Sequence, residues 1–300
     1  MGLELRECRP NELPLVIERL DREFVISKQR SLSLVRRFPN ALSAANIRQI
    51  RVAALDGVIQ GVLILRMFEW LANQELWHGA MIGMVYIDPE HRGAGLGSRL
   101  LSSARHVMEE AGVDFGVLWT GNRAFYEHSG WFSSDRGVFG RATPCSTFAC
   151  TDTLVSRLPA ASADSFWIER LRAHALPMRV KRNSIDYCTV PIPAVDVTCF
   201  YVAGNRSGEG FALVGESNGV GYLYELTAPP PLWGPLWSAI SEHFSRLCVN
   251  GLPCDSFAQW LDRNGLIEWA PQNKTMWLRV SDRLQESSVR TWHIPYYDWI

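Results

Sequence analysis

No apolar run in these 300 residues is long enough to cross a bilayer, so a spanning helix is excluded. No charge of one sign dominates. Thirty Lys and Arg stand against 31 Asp and Glu, for a formal net charge of -1. Neither half is markedly basic, so a nucleic-acid partner has no electrostatic footprint, and no polybasic or acidic tail points to a membrane surface. The seven cysteines (8, 145, 150, 188, 199, 248 and 254) are odd in number and lack a Cys-x-x-Cys pair, which argues against a disulfide framework or zinc site. They read as reduced thiols, most of them buried, and no metal is expected. The start, Met1-Gly2-Leu3-Glu4-Leu5-Arg6, lacks a basic segment followed by an apolar one, and Arg6 stands where a myristoylation signal has Ser or Thr. A cytoplasmic location is therefore expected. Also missing is Gly-Lys-Ser/Thr, which removes a Walker-type phosphate loop.

What is present is a globular composition, 47% hydrophobic and 20% charged, of a length that suggests two domains. Leu3–Arg6 reads as a strand. Asn11 caps a helix with Leu13, Val16, Ile17 and Leu20 on one face, and a weaker helix spans Ser33–Leu42. Ile50–Leu55 and Val58–Met67 flank an Asp56-Gly57 hairpin turn, and Leu76–Ile87 is a further strand. A helix over Ser98–Ala111 stops at Gly112. A buried strand at Phe115–Trp119, a short helix from Asn122 to Gly130 and a strand at Trp131-Phe132 come next. The order β-α-α-β-β-β-α-β-α-β implies a mixed sheet with helices on its faces. Residues 145–164 are rich in Ser, Thr and Ala and read as a linker. Beyond them a similar series restarts. Val190–Val202, Gly210–Gly215 and Val220–Leu226 are extended, and a helix spans Leu232–Leu247. A shorter helix covers Ser256–Asn264, and strands lie at Ile267–Ala270 and Thr275–Val280. The expected domains are residues 1–148 and 149–300.

The strongest local signal is the run from Val85 through Asp88-Pro89 to Arg92-Gly93-Ala94-Gly95-Leu96-Gly97-Ser98, a strand feeding a glycine loop that opens a helix. Orphan N–H groups and a partial positive charge at the helix start attract a phosphate, and glycines let it approach the backbone. Gly93-x-Gly95-x-Gly97 does not have the dinucleotide-fold spacing. About thirty residues on stands Asn122-Arg123-Ala124-Phe125-Tyr126-Glu127-His128-Ser129-Gly130-Trp131.

Together, Arg92-x-x-Gly95-x-Gly97 and Asn122-x-x-x-Tyr126-x-x-x-Gly130-Trp131 resemble the GNAT superfamily of N-acetyltransferases over roughly residues 3–145. The resemblance implies a GNAT fold, α/β with a mixed central sheet flanked by helices. It also implies transfer of an acetyl group from acetyl-CoA to a primary amine, on a small molecule or peptide. Residues 92–98 would hold the CoA pyrophosphate. Backbone groups at Val85 and Ile87 would meet the pantetheine arm, with Asn122 and Phe125 beside it. Tyr126 would protonate the leaving thiolate. Acyl transfer to an amine passes through an oxyanion, needs a neutral amine and gains from positioning alone, and a tyrosine is a suitable acid. Candidates for the base are His78, Glu75, Glu69, His128, Asp298, the terminal carboxylate and water. A non-catalytic acyl-CoA sensor and a transferase for longer acyl chains are the alternatives, and a homodimer is compatible with the sequence.

Where the second half should repeat the loop, it has Thr227-Ala228-Pro229-Pro230-Pro231. Three prolines delete three N–H donors, so this half reads as a degenerate copy with a structural or substrate-shaping role. Tandem and Eis-type acetyltransferases are precedents for an active N-terminal domain, although Eis-type chains are longer. The aromatic tail, with Tyr296, Tyr297 and Trp299, is expected either to dock on a core or to reach the first domain and line the acceptor site.

Overall fold

The computed structural model describes residues 2–134, 137–148, 153–205, 208–251, 255–272, 274–290 and 292–300, so Cys150 and Cys254 lie outside the described residues. The first half folds in the expected order. β1 (Leu3–Glu7) is followed by α1 (Leu13–Phe24), α2 (Leu34–Arg37), β2 (Ile50–Leu55), β3 (Val58–Ala72) and β4 (Glu75–Ile87). Then come α3 (Leu96–Glu110), β5 (Phe115–Trp119), α4 (Arg123–Glu127) and β6 (Phe132–Ser133). The apolar face of α3, with Leu100, Leu101, Ala104 and Met108, packs on Ala53, Leu63, Leu65 and Ala80 of the sheet. Val16, Leu20, Leu34 and Phe38 from α1 and α2 cover the other face at Val52, Val62 and Ile64.

The first half ends with β7 (Val138–Ala142), and the second contains β8 (Ser156–Pro159), α5 (Ser165–Ala175), β9 (Met178–Val180), β10 (Asp196–Asn205), β11 (Gly208–Ser217) and β12 (Val220–Thr227). α6 (Trp233–Ser241), β13 (Arg246–Gly251), α7 (Ser256–Arg263), β14 (Ile267–Pro271) and β15 (Thr275–Arg279) complete it. Three expectations need correction. The helix expected over Leu232–Leu247 ends at Ser241, and Arg246–Gly251 is a strand parallel to β12. Its alternating burial, with Leu247 and Val249 inward, is a strand pattern too short to separate from a helix by sequence. Part of the supposed linker is β8, an edge strand on β10. Of the described thiols only Cys8 and Cys199 are buried, and Cys188 is exposed.

Two sheets result, in the orders β1-β2-β3-β4-β5-β15-β6, with β9 also on β3, and β14-β7-β13-β12-β11-β10-β8. They exchange strands. β15 from the second half pairs with β5 and β6, while β7 from the first half pairs with β13 and β14. The exchange joins the halves across the boundary expected at residue 148.

The first sheet opens beside the site. β4 and β5 are parallel and pair only from Gly79↔Phe115 to Met81↔Val117. Beyond that, a register shift against β3 pairs Val62 with Tyr86 but Ile64 with Gly83. The extra residue is a bulge at Met84, whose φ of 52° is left-handed. β4 therefore leaves β5, and its outer half presents an unpaired backbone edge toward the gap.

Candidate active site

The gap between β4 and β5 opens onto the glycine loop. Gly93 and Gly95 have φ of 80° and 77°, a conformation that side-chain-bearing residues rarely adopt. Gly95 caps α3 with no side-chain hydrogen bond to the helix start, so the amides of its first turn stay open. Arg92 stands at the entrance, where Nε donates to the Ile87 carbonyl at 2.9 Å and Nη2 to Glu23 at 3.1 Å.

A cavity of about 560 Å³ matches this geometry. It brings together Val85, Ile87, Arg92, Gly93, Gly95, Leu96, Gly97, Ser98, Asn122, Phe125 and Tyr126. Of the residues expected to hold the cofactor, only Ala94 does not line it. Glu23, Phe24, Tyr86, His91 and Thr120 line it as well. Thr120 sits two residues before Asn122, and its Oγ1 accepts from the Asn122 N–H at 2.9 Å, so extending the second motif backward would have found it. Glu23 and Phe24 end α1 and carry no local signal. Asn122 precedes α4 but makes no side-chain cap, which leaves its amide to the cavity. Tyr126 packs edge-on to Phe125 at 4.9 Å and Trp131 at 6.2 Å. Burial pushes its phenol up to about 12, so it holds its proton throughout the neutral range. An open helix start, a glycine cradle and an unpaired strand edge beside one cavity fit the pyrophosphate and amide arm of CoA.

A second cavity, of about 370 Å³, adjoins the first and shares Phe24 and Thr120 with it. Met84 of the bulge, Trp119 and Gly121 line it from the sheet, and Arg30, Leu34 and Phe38 from the α1–α2 side. Tyr296, Trp299 and Ile300 close it. The tail thus docks on a core and also reaches the first half, with Tyr296 and Trp299 but not Tyr297 lining this cavity. Trp299 stacks on Trp119 at 4.5 Å, while Tyr297 is buried instead against Tyr187 and Tyr224. The Ile300 carbonyl oxygen lies 2.7 Å from where a Cβ on Gly83 would be, so the tail's seat requires that glycine.

The nominated bases mostly lie elsewhere. His78, Glu75 and Glu69 sit at the far end of the β3–β4 ribbon. His78 is roughly 23 Å along the strand from Val85, at about 3.3 Å per residue. Glu69 pairs with Lys181, and Glu75 faces Arg283. The His128 ring contacts the Ala124 carbonyl on the exposed side of α4. Asp298 is 2% exposed and holds Arg182 through both oxygens, at 2.7 and 2.8 Å. Burial alone would raise its carboxyl, but Arg182, Arg172 and Arg66 together hold it below the usual range. Of the nominated protein groups, only the terminal carboxylate, at Ile300, belongs to a residue that lines the second cavity.

Comparison with known proteins agrees with this layout. Residues 4–133 match the family model of the acetyltransferase (GNAT) domain. No curated protein matches the sequence. Among solved structures, the chain resembles a probable N-acyltransferase from Enterococcus faecalis. The TM-score is 0.75 at 13% identity, over 93% of this chain and 72% of that one. A GCN5-related N-acetyltransferase from Kribbella flavida gives 0.68 at 15% identity, over 92% and 70%. A tandem GNAT protein from the clavulanic acid biosynthesis pathway gives 0.58 at 11% identity, over 93% and 99%. Residues 4–133 thus carry a GNAT acetyltransferase domain, and the chain as a whole, with its two sheets, shares the fold of the tandem GNAT protein.

Proposed function

We propose that the unit expected at residues 1–148 transfers the acetyl group of acetyl-CoA to a primary amine by direct attack, and that residues 149–300 shape the acceptor side. The observation that carries this reading is the meeting of two cavities at Phe24 and Thr120, one holding the glycine loop and Tyr126, the other open to an acceptor. Arg92 and the amides of residues 93–98 hold the pyrophosphate, Arg92 exchanging Glu23 for phosphate oxygens. The free edge of β4 at Val85 and Ile87 receives the pantetheine amides, with Asn122 and Phe125 alongside. Tyr126 delivers its proton to the departing thiolate. No Asp, Glu or His side chain lines the acceptor cavity among the described residues, so of the nominated bases the terminal carboxylate of Ile300 and water are left to take the proton of the amine.

Consumption of acetyl-CoA across an amine library tests the reading, with Tyr126→Phe as the control. Turnover that falls in the variant while CoA affinity holds is expected. CoA binding without turnover on any amine would favour a sensor, and a Phe variant as fast as the parent would remove the acid role.

A further inference from the structure

Thr120 and Gly121 follow β5 at a junction. Thr120 lines the cofactor cavity, the second cavity and a third one of about 530 Å³, and Gly121 lines the second and the third. Lys274 and Tyr296 border the same two. The Thr120 N–H donates to the Lys274 carbonyl at 2.9 Å, which holds the end of β5 against the start of β15. A Cβ built on Gly121 would meet nothing within 4 Å, so the space beside it is free.

The third cavity lies on the second sheet. Leu247 and Val249 of β13 are covered by the residues of α6 and α7, so Cys248 and Asn250 point to the opposite face. Tyr222, Phe139 and Ala270 stand beside them in register. Pro193 and Pro271 complete the wall, and Phe139 is exposed there. Several polar groups of this cavity are bonded within the protein. The hydroxyls of Tyr224 and Tyr296 donate to the carbonyls of Pro191 and Ile192, at 3.3 and 2.5 Å, and Asn250 Nδ2 donates to Gln272. Asn250 Oδ1 is buried without a partner among the described residues. The floor therefore offers mostly ring and aliphatic carbon, a surface from which an apolar group displaces water favourably.

Resting on the acetyltransferase reading above, we infer that the acceptor is a primary amine with an extended apolar body, alkyl or aryl. Its amine sits in the second cavity beside Met84, and its body passes Gly121 onto the floor of the third. The second half thus reads the part of the acceptor that does not react.

Propylamine, hexylamine and octylamine test this, because they share one amine basicity and differ only in the body. A buried methylene favours binding by about three- to fourfold, so with half of the added length buried kcat/KM should rise at least about tenfold from propylamine to octylamine. 4-Phenylbutylamine should exceed butylamine by a similar factor. Gly121→Phe places a ring in the free space at the passage, and Ala270→Trp places one over the floor. In both variants the rise should shrink to about threefold or less, through KM, with cooperative melting and the acetyl-CoA Kd retained. Gly121→Ala should keep the rise. A flat or falling series in the parent, or a rise intact in either blocking variant, would overturn the inference while leaving the acetyltransferase reading in place. No turnover with any amine would instead remove the reading on which it rests.

Discussion

Both sheets part between a parallel strand pair, and both carry a bulge just past the last shared rung. In the first, β4 and β5 separate after Met81↔Val117, with the bulge at Met84. In the second, β12 and β13 separate after Leu223↔Val249, and a register shift against β11 sets the bulge at Tyr224. Past the bulges the two copies diverge. The first pair leads to glycines and an open helix start. The second leads to Pro229-Pro230-Pro231, a turn of 3-10 helix and the apolar start of α6. The second gap is also filled from outside. Tyr296 lies flat on Tyr224, and Glu225 pairs with Arg172 and Arg182, both fully buried. One architecture thus serves as a cradle in one copy and as a clamp in the other. The clamp holds Asp298, and Asp298 precedes the Trp299 and Ile300 that border the second cavity.

The largest effect is expected from giving the first loop the chemistry of the second. Replacing Gly93-Ala94-Gly95 with Pro-Pro-Pro removes three N–H donors and the left-handed turns. Hydrogen bonds to charged groups contribute about 1.5–3 kcal/mol each, so CoA affinity should fall by at least about 10³-fold in titration calorimetry. A variant that still melts cooperatively yet binds CoA as before would show that the loop is not the cradle.

Next comes the clamp. Asp298→Ala leaves Arg182 with Glu225 as its remaining carboxylate, in a buried cluster that also includes Arg172 and, through Asp186, Arg66. Breaking a buried pair from one side costs about 3–5 kcal/mol, so denaturant unfolding should shift by that order, with loss of acceptor turnover as the tail leaves its seat. The pH dependence has a definite sign. The folded-state pKa of Asp298 is depressed, so its contribution is present above the unfolded value near about 4 and fades as pH falls below it. The Ala variant should lose less stability than the parent on acidification through that range.

Tyr126→Phe ranks third. It should lower kcat by about 10²-fold, the lower end for loss of a general acid, while Kd for CoA stays put. Since the phenol titrates at about 12, the parent's rate should show no fall from its ionisation below about pH 11. A parent profile falling near pH 8 or 9 would assign the limiting proton to another group.

The cradle was legible in the sequence and the clamp was not. Strand, glycine loop and helix are contiguous, and Asn122 and Tyr126 share one helical turn, so local spacing carries the site. The strand exchange leaves no such trace, because β7 and β15 have strand periodicity in either sheet and only tertiary packing decides between them. Arg66, Arg172, Arg182, Glu225 and Asp298 are scattered along the chain, and each reads alone as a solvated charge. Gly83 reads as any strand glycine does, and only the tail resting on it explains its lack of a side chain. The cavity closed by the tail was partly anticipated from its aromatics, but Arg30 and Lys274, which also line it, sit in unremarkable loops.

The smallest effect should come from the reverse exchange. Pro229-Pro230-Pro231→Gly-Ala-Gly would restore three N–H groups to the second loop, and if loop chemistry alone separated the two copies, a second CoA should bind. It should not. Phe148 lies across the start of α6, its Cβ 2.9 Å from where a Gly234 Cβ would be, and Pro235 removes another amide from the first turn. The gap that would take the pantetheine arm already holds Tyr296 and the Glu225 pairs. Calorimetry is therefore expected to return one CoA per chain in the variant, as in the parent. A stoichiometry of two would mean that the prolines alone silence the second copy and that its filled gap opens at little cost. That would place the degeneracy in three residues rather than in the clamp built around them.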